Sequence, residues 1–210
     1  MCIIVICEKR HPSLNELLEM QRVNSDGAGV AWREENYVRW KKGLNAKEVY
    51  ELIQKIDYPY VIHFRLATCE KSPYLCHPFP VTHNVEMALE GKADRVLFHN
   101  GVWTNWRELC LQAVMKKNID FLQGKVSDTR ALAWFVYHYG SSVLNLLNEK
   151  VVIFSNKKIL RFGEGWIEED GITYSNKHYK YNYYYYNNSF YDDNNIAITN
   201  KNRKYFKNYK

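Results

Sequence analysis

Cys2, directly after Met1, is the first place along the chain where chemistry could reside. A small residue at the second position favours removal of Met1, which would leave a thiol and a free α-amine on one residue. An α-amine has a reference pKa of about 7.7–8.0, so near neutral pH it can take the thiol proton, directly or through a water, and leave a thiolate nucleophile. The same dipeptide also suits a cysteine that merely opens a buried strand. A second group of reactive types, His63, Cys69, Cys76, His77, His83 and His99, falls within a short stretch. Structural zinc sites are usually built from two close pairs of ligands. Here only Cys76 and His77 are close, and adjacent residues bind one ion poorly, so the reading is of no metal. His63 and His99 are then packing or hydrogen-bonding residues. The "HNG" at 99–101, taken alone, is an ordinary turn after a strand, with Gly101 allowing close backbone approach or positive φ.

The elements that must position these residues are legible from apolar spacing. Residues 2–7, 28–32, 59–65, 96–100, 151–155 and 158–163 have the length and the β-branched or aromatic content of buried strands. Residues 45–56 place Val49, Leu52, Ile53 and Ile56 at helical spacing, with Asn45 as a cap. Residues 104–117 and 127–140 read the same way, the second capped by Ser127 or Asp128 and stopped by Gly140. Strands at both ends with two successive helices between them predict an α+β layered domain rather than a doubly wound parallel sheet. No internal repeat is present.

A chain of 210 residues with 46% apolar content suits one domain with an appendage. No uncharged apolar run approaches the roughly 18 residues of a membrane span, and Ile3 to Ile6 is too short for a signal peptide and lacks a basic flank. The expectation is a soluble, cytoplasmic protein that makes no membrane contact. Five cysteines, an odd number without an export signal, predict free thiols rather than a disulfide framework. Composition shifts near Asn176, which places a domain over 1–175 and a Tyr/Asn/Lys-rich tail over 176–210. The tail holds seven Lys or Arg and two Asp, so most of the net charge of +6 belongs to it. It has little to feed a core and reads as a flexible arm, although "NIAIT" at 195–199 could add a strand. Lysines among tyrosines suit a solubilising or partner-docking extension, with single-stranded nucleic acid, bound by charge and stacking, as the lesser alternative.

Further along, five segments follow Cys2 in order: "NSDGAGVAW" at 24–32, "HFRLAT" at 63–68, "HPF" at 77–79, "HNG" at 99–101 with "NWREL" at 105–109, and "SDT" at 127–129. "GITYSN" at 171–176 closes the series. In order and spacing these resemble the class II glutamine amidotransferases, a family of N-terminal nucleophile hydrolases. The resemblance implies a four-layer αββα sandwich with Cys2 at the end of a central strand. It implies attack by the Cys2 thiolate on the side-chain amide of glutamine, with Asn100 and the Gly101 backbone N–H receiving the oxyanion. It further implies that Arg65 holds the α-carboxylate of glutamine, Asp128 its α-ammonium, and that Thr68 lines the pocket near Arg65. A γ-glutamyl thioester and ammonia form, water then releases glutamate, and no cofactor is needed. Residues 130–175 are required to complete the sandwich, so the ammonia acceptor is expected on a separate partner enzyme. The chain departs from the family at Cys69-Glu70, where His-Gly is common, and at Leu66, where some members carry an aromatic. Both lie near the loop that closes the pocket. Two alternatives remain: hydrolysis or transfer of a γ-glutamyl group from a larger substrate, and a non-catalytic module that keeps the fold.

Overall fold

The computed structural model describes residues 1–67 and 70–180. One compact unit runs from Met1 to Lys177. The apolar run after Cys2 forms β1 (Ile3–Cys7), buried at all five positions. Helix α1 (Leu14–Val23) opens on a capping box, in which Ser13 Oγ accepts from Glu16 N and the Glu16 carboxylate accepts from Ser13 N. Strands β2 (Ala28–Glu34) and β3 (Tyr37–Leu44) form a hairpin. Asn45 then caps α2 (Ala46–Ile53), its Oδ1 accepting from Lys47 N and Glu48 N. Strand β4 (Tyr60–Phe64), a 3₁₀ turn at Pro73–Leu75, and strands β5 (Phe79–Pro80), β6 (Glu90–Ala93) and β7 (Arg95–Asn100) follow. Helices α3 (Trp106–Lys117) and α4 (Asp128–Tyr139) come in succession, and Ser127 and Gly140 bound the second as expected. A 3₁₀ turn at Ser141–Leu146 leads to β8 (Lys150–Ser155), β9 (Ile159–Phe162), β10 (Ile167–Glu169) and β11 (Ile172–Tyr174).

Two sheets result, one in the order β10-β11-β1-β4-β2-β3-β6 and the other β5-β7-β8-β9. Every strand pairing among the described residues is antiparallel, as an α+β order of elements requires and a doubly wound sheet does not. Side chains alternate across a strand, and that alternation builds the core. Ile4 and Ile6 of β1, with Ala31, Trp40 and Val61, meet Val96, Phe98, Val152 and Phe154 of the smaller sheet. On the other face of that sheet, Phe79, Leu97, Val151 and Ile153 pack with Cys110 and Ala113 of α3 and Leu132 and Trp134 of α4. Burying each large apolar side chain stabilises the fold by about 1.5–3 kcal/mol. Helices α1 and α2 pack on one another, and α2 contacts β2. Among the described residues no helix is long and apolar enough to cross a membrane. The "NIAIT" segment lies outside the described residues.

Candidate active site

Antiparallel register sets the site. Ile3 pairs with Phe64, so the residue before one and the residue after the other, Cys2 and Arg65, emerge side by side at the edge of the central strands. Leu66 N donates to Cys2 Sγ at 3.4 Å, and the Leu66 carbonyl lies 3.6 Å from the same sulfur. Asn176 Nδ2 donates to the Cys2 carbonyl at 2.8 Å. Burial pushes the Cys2 thiol pKa up, while the Leu66 N–H, the chain's amino terminus and Arg65 act in the opposite direction. The sulfur therefore rests as a thiol, and a base must take its proton before it can act as a nucleophile. Of the four described free cysteines, Cys7, Cys76 and Cys110 are buried, and burial raises all three, Cys7 and Cys110 to about 12. Cys2 alone among them opens on a cavity.

Arg65 is only 6% exposed, and its Nη2 donates to the Glu70 carbonyl at 2.9 Å while Nη1 is buried with no partner. A buried guanidinium nitrogen without an acceptor is costly unless something arrives to meet it. The Arg65 backbone is fixed on both sides, Arg65 N donating to Gly27 O at 2.9 Å and Asp26 N to Arg65 O at 3.0 Å. The Asp26 carboxylate in turn accepts from Ala67 N at 2.8 Å and pairs with Lys71 Nζ at 2.8 Å, and these two contacts hold its pKa below the usual carboxylate range. One aspartate thus pins the segment that carries Leu66.

Asn100 ends β7, 7% exposed, with Nδ2 donating to Ser175 Oγ at 2.9 Å and Oδ1 buried without a partner. Gly101 follows because nothing larger fits: an added Cβ would lie 2.2 Å from Glu149 Cγ and 2.9 Å from His99 Nε2. Its backbone is not in the positive-φ region, so close approach, rather than a left-handed turn, is the reason for glycine. Ser127, not Asp128, caps α4, its Oγ accepting from Arg130 N at 3.1 Å. Asp128 is left in the first helical turn, where the helix dipole favours its charge. Its Oδ2 accepts from Trp103 N at 3.1 Å and lies 3.9 Å from His99 Nδ1.

Cys2, Arg65, Asn100, Gly101 and Asp128 all line a single cavity of about 300 Å³. Thr68 and Cys69 lie outside the described residues. Three histidines are buried together at the cavity, His77 and His99 in its lining and His63 against His77. The His63 and His77 rings are 4.0 Å apart between centroids, His99 N donates to His77 Nδ1 at 3.3 Å, and His99 Nδ1 meets Thr129 Oγ1 at 3.1 Å. Burial lowers all three, His63 to about 3 and His77 well below its ordinary value, so they are neutral near pH 7. Among the described residues no group of three or more His, Cys, Asp or Glu is arranged to hold a metal. Sequence reasoning gave no role to Asp26, Ser175 or Asn176, although "NSDG" and "YSN" stand within segments it singled out. The cavity offers a cationic fork for a carboxylate, a carboxylate for an ammonium, and a thiol for an acyl carbon.

No protein-family model and no curated protein matches the chain. Solved structures do. A glutamine phosphoribosylpyrophosphate amidotransferase from B. subtilis, complexed with ADP and GMP, aligns with a TM-score of 0.55 and 15% identity over 83% of this chain and 41% of that one. A structure described as the allosteric regulatory enzyme of purine biosynthesis aligns with a TM-score of 0.56 and 17% identity, over the same 83% and 41%. At these identities the likeness is one of fold, and the chain spans less than half the length of either neighbour.

Proposed function

We propose that the chain is a class II glutamine amidotransferase domain that runs the glutaminase half-reaction. The observation that carries this reading is the convergence on one cavity of the Cys2 thiol, held by the Leu66 N–H, and an Arg65 guanidinium whose buried Nη1 has no partner. The fold supports it, since a neighbour of the same fold is named a glutamine amidotransferase. We take the order of α1 and α2, the seven-stranded sheet, the four-stranded sheet, and α3 and α4 as the four-layer αββα sandwich of N-terminal nucleophile hydrolases.

On this reading Met1 is removed and the Cys2 α-amine accepts the thiol proton. The thiolate adds to the side-chain carbonyl carbon of glutamine, and the electron pair of the C=O moves onto oxygen. The Asn100 amide and the Gly101 N–H receive that oxyanion, a contact for which one donor is worth about 2.7–4 kcal/mol in the transition state. Collapse breaks the C–N bond, the α-ammonium returns its proton to the leaving nitrogen, and ammonia departs from a γ-glutamyl thioester. Water, deprotonated by the same amine, then releases glutamate. Arg65 grips the α-carboxylate through a two-pronged contact suited to its planar fork, Asp128 takes the α-ammonium, and Thr68 completes the pocket. Ammonia at neutral pH is mostly protonated and no longer nucleophilic, so we assign its use to a separate acceptor enzyme in the cytoplasm, with the basic tail as a docking arm.

The test is ammonia release from glutamine and from larger γ-glutamyl amides, with Cys2→Ala as the control and intact mass to follow Met1. Turnover of glutamine that Cys2→Ala abolishes is the expected result. Turnover of only the larger amides redirects the reading to a γ-glutamyl hydrolase or transferase. No turnover at all makes the chain a non-catalytic module, and an active preparation that keeps Met1 refutes the α-amine as base.

A further inference from the structure

We infer that Ser175 is a positioning residue that decides which end of the Asn100 amide faces the cavity. The inference rests on the reading of Asn100 as an oxyanion donor and concerns a residue to which that reading gives no part. Ser175 lies just past β11, 1% exposed and locked from three sides. Its N–H donates to Ile4 O at 2.9 Å, its carbonyl accepts from Lys150 Nζ, and its Oγ accepts from Ile4 N at 2.8 Å. The hydroxyl oxygen also accepts from Asn100 Nδ2 at 2.9 Å. Two donors therefore fill both lone pairs of one hydroxyl, while Asn100 Oδ1, at the other end of the amide, is buried with no partner.

A side-chain amide turned by 180° occupies the same space with nitrogen and oxygen exchanged. In the turned orientation Ser175 Oγ keeps the Ile4 N–H and gives its own proton to Asn100 Oδ1, so the orphaned carbonyl is satisfied. Nδ2, with both hydrogens uncommitted, then takes the place away from Ser175. That is the orientation an oxyanion needs, since it is met by N–H and repelled by C=O. A hydroxyl can serve because it both accepts and donates. Its acceptor side is anchored to the strand that carries Cys2, and its donor side sets the amide, so nucleophile strand and oxyanion donor are held in one frame.

The experiment compares Ser175→Ala, Ser175→Cys and Ser175→Thr with the parent chain in glutamine turnover, alongside Asn100→Ala, the Ser175→Ala/Asn100→Ala double variant and Cys2→Ala. Ser175→Ala should lower kcat by about 10-fold or more with KM changed by no more than about twofold, part of the 10²–10³-fold a lost donor costs. Ser175→Cys, of similar shape but a weak donor, should show the same defect, and Ser175→Thr, which keeps the hydroxyl, should recover activity. In the Asn100→Ala background Ser175→Ala should add no further loss in kcat, because there is no amide left to orient. Thermal midpoints measured beside the kinetics register any loss of the Ile4 contact, which an effect on folding alone would track and the kcat defect should not. An unchanged kcat in Ser175→Cys, or losses that multiply in the double variant, overturns the inference alone. A parent chain inactive on every γ-glutamyl amide, or an active Cys2→Ala, overturns the proposed function and the inference with it.

Discussion

Lowering the pH from about 7.5 to 5 should weaken the fold through His63 and His77 before any carboxylate is involved. Both rings are buried against one another, and burial holds His63 at about 3 and His77 well below its ordinary value, with Arg65 acting in the same direction on both. In the unfolded chain each titrates near 6.5. Between the two values the unfolded state binds a proton that the native state refuses, so stability is full above about pH 6.5 and falls as the pH drops through that window. His63 alone costs about 1.4 kcal/mol per pH unit, hence about 2 kcal/mol at pH 5, and His77, lowered by the same burial, adds in the same direction. Typical domains have only about 5–15 kcal/mol to lose. Carboxylates do not confuse the window. Burial opposes it, yet Arg10 and Ser13 hold Glu16 at about 2, and Lys71 and Ala67 N–H hold Asp26 low; their stabilisation is lost only below the unfolded carboxylate values near 4. Urea unfolding followed by tryptophan fluorescence, at several pH values across this range, gives the slope. His63 contributes about 1.4 kcal/mol per pH unit well below pH 6.5, with His77 and His99 adding in the same direction, and His63→Gln should flatten the profile by about that amount. A flat profile between pH 7 and 5, or an unchanged slope in His63→Gln, refutes the reasoning.

Arg65→Ala and Asp128→Ala should mainly raise KM for glutamine, since they are assigned to groups whose charge does not change in the reaction, whereas Asn100→Ala should lower kcat by roughly 10²–10³-fold. Steady-state kinetics separate the two patterns, and equal modest losses in all three would point to a scaffold. Lys42 is buried in β3, 2% exposed, with Nζ 3.4 Å from the Pro78 carbonyl and over the Phe79 ring, and burial lowers it to about 7. Lys42→Met should therefore raise the thermal midpoint, by at most about 4–5 kcal/mol of stability at pH 7 and by progressively less toward pH 10, where the unfolded lysine also loses its proton. A chain ended after Lys177 should keep the proposed glutaminase activity, and one ended after Ser175 should be less stable because it loses the Asn176 amide on the Cys2 carbonyl; activity assays and melting curves decide. Loss of single-stranded nucleic-acid binding in the first truncation would favour the lesser reading of the tail.

Much of the architecture is written in local pattern. Apolar runs marked β1, β2, β4, β7, β8 and β9, spacing marked α2, α3 and α4, and caps marked α2 and α4. Other elements escape the apolar pattern for identifiable reasons. Helix α1 is a different case, not anticipated although Leu14, Leu17 and Leu18 stand at helical spacing behind the Ser13–Glu16 capping box. Strand β3 puts Lys42 in the inward register beside Val38 and Trp40, which hides its alternation, and β6 is the polar edge "EGKA". The sequence by itself determined the residue types of the site and their order, because Cys2, Arg65, Asn100, Gly101 and Asp128 stand at the ends of elements that local periodicity defines. Tertiary structure alone decided which partners those residues meet. Ser175 reaches Ile4 and Asn100 across 171 and 75 positions of chain, and Asp26 reaches Ala67 across 41. No periodicity encodes such separations; they follow from strand register and from the need of each buried polar group to find a partner once the sheets have closed over it.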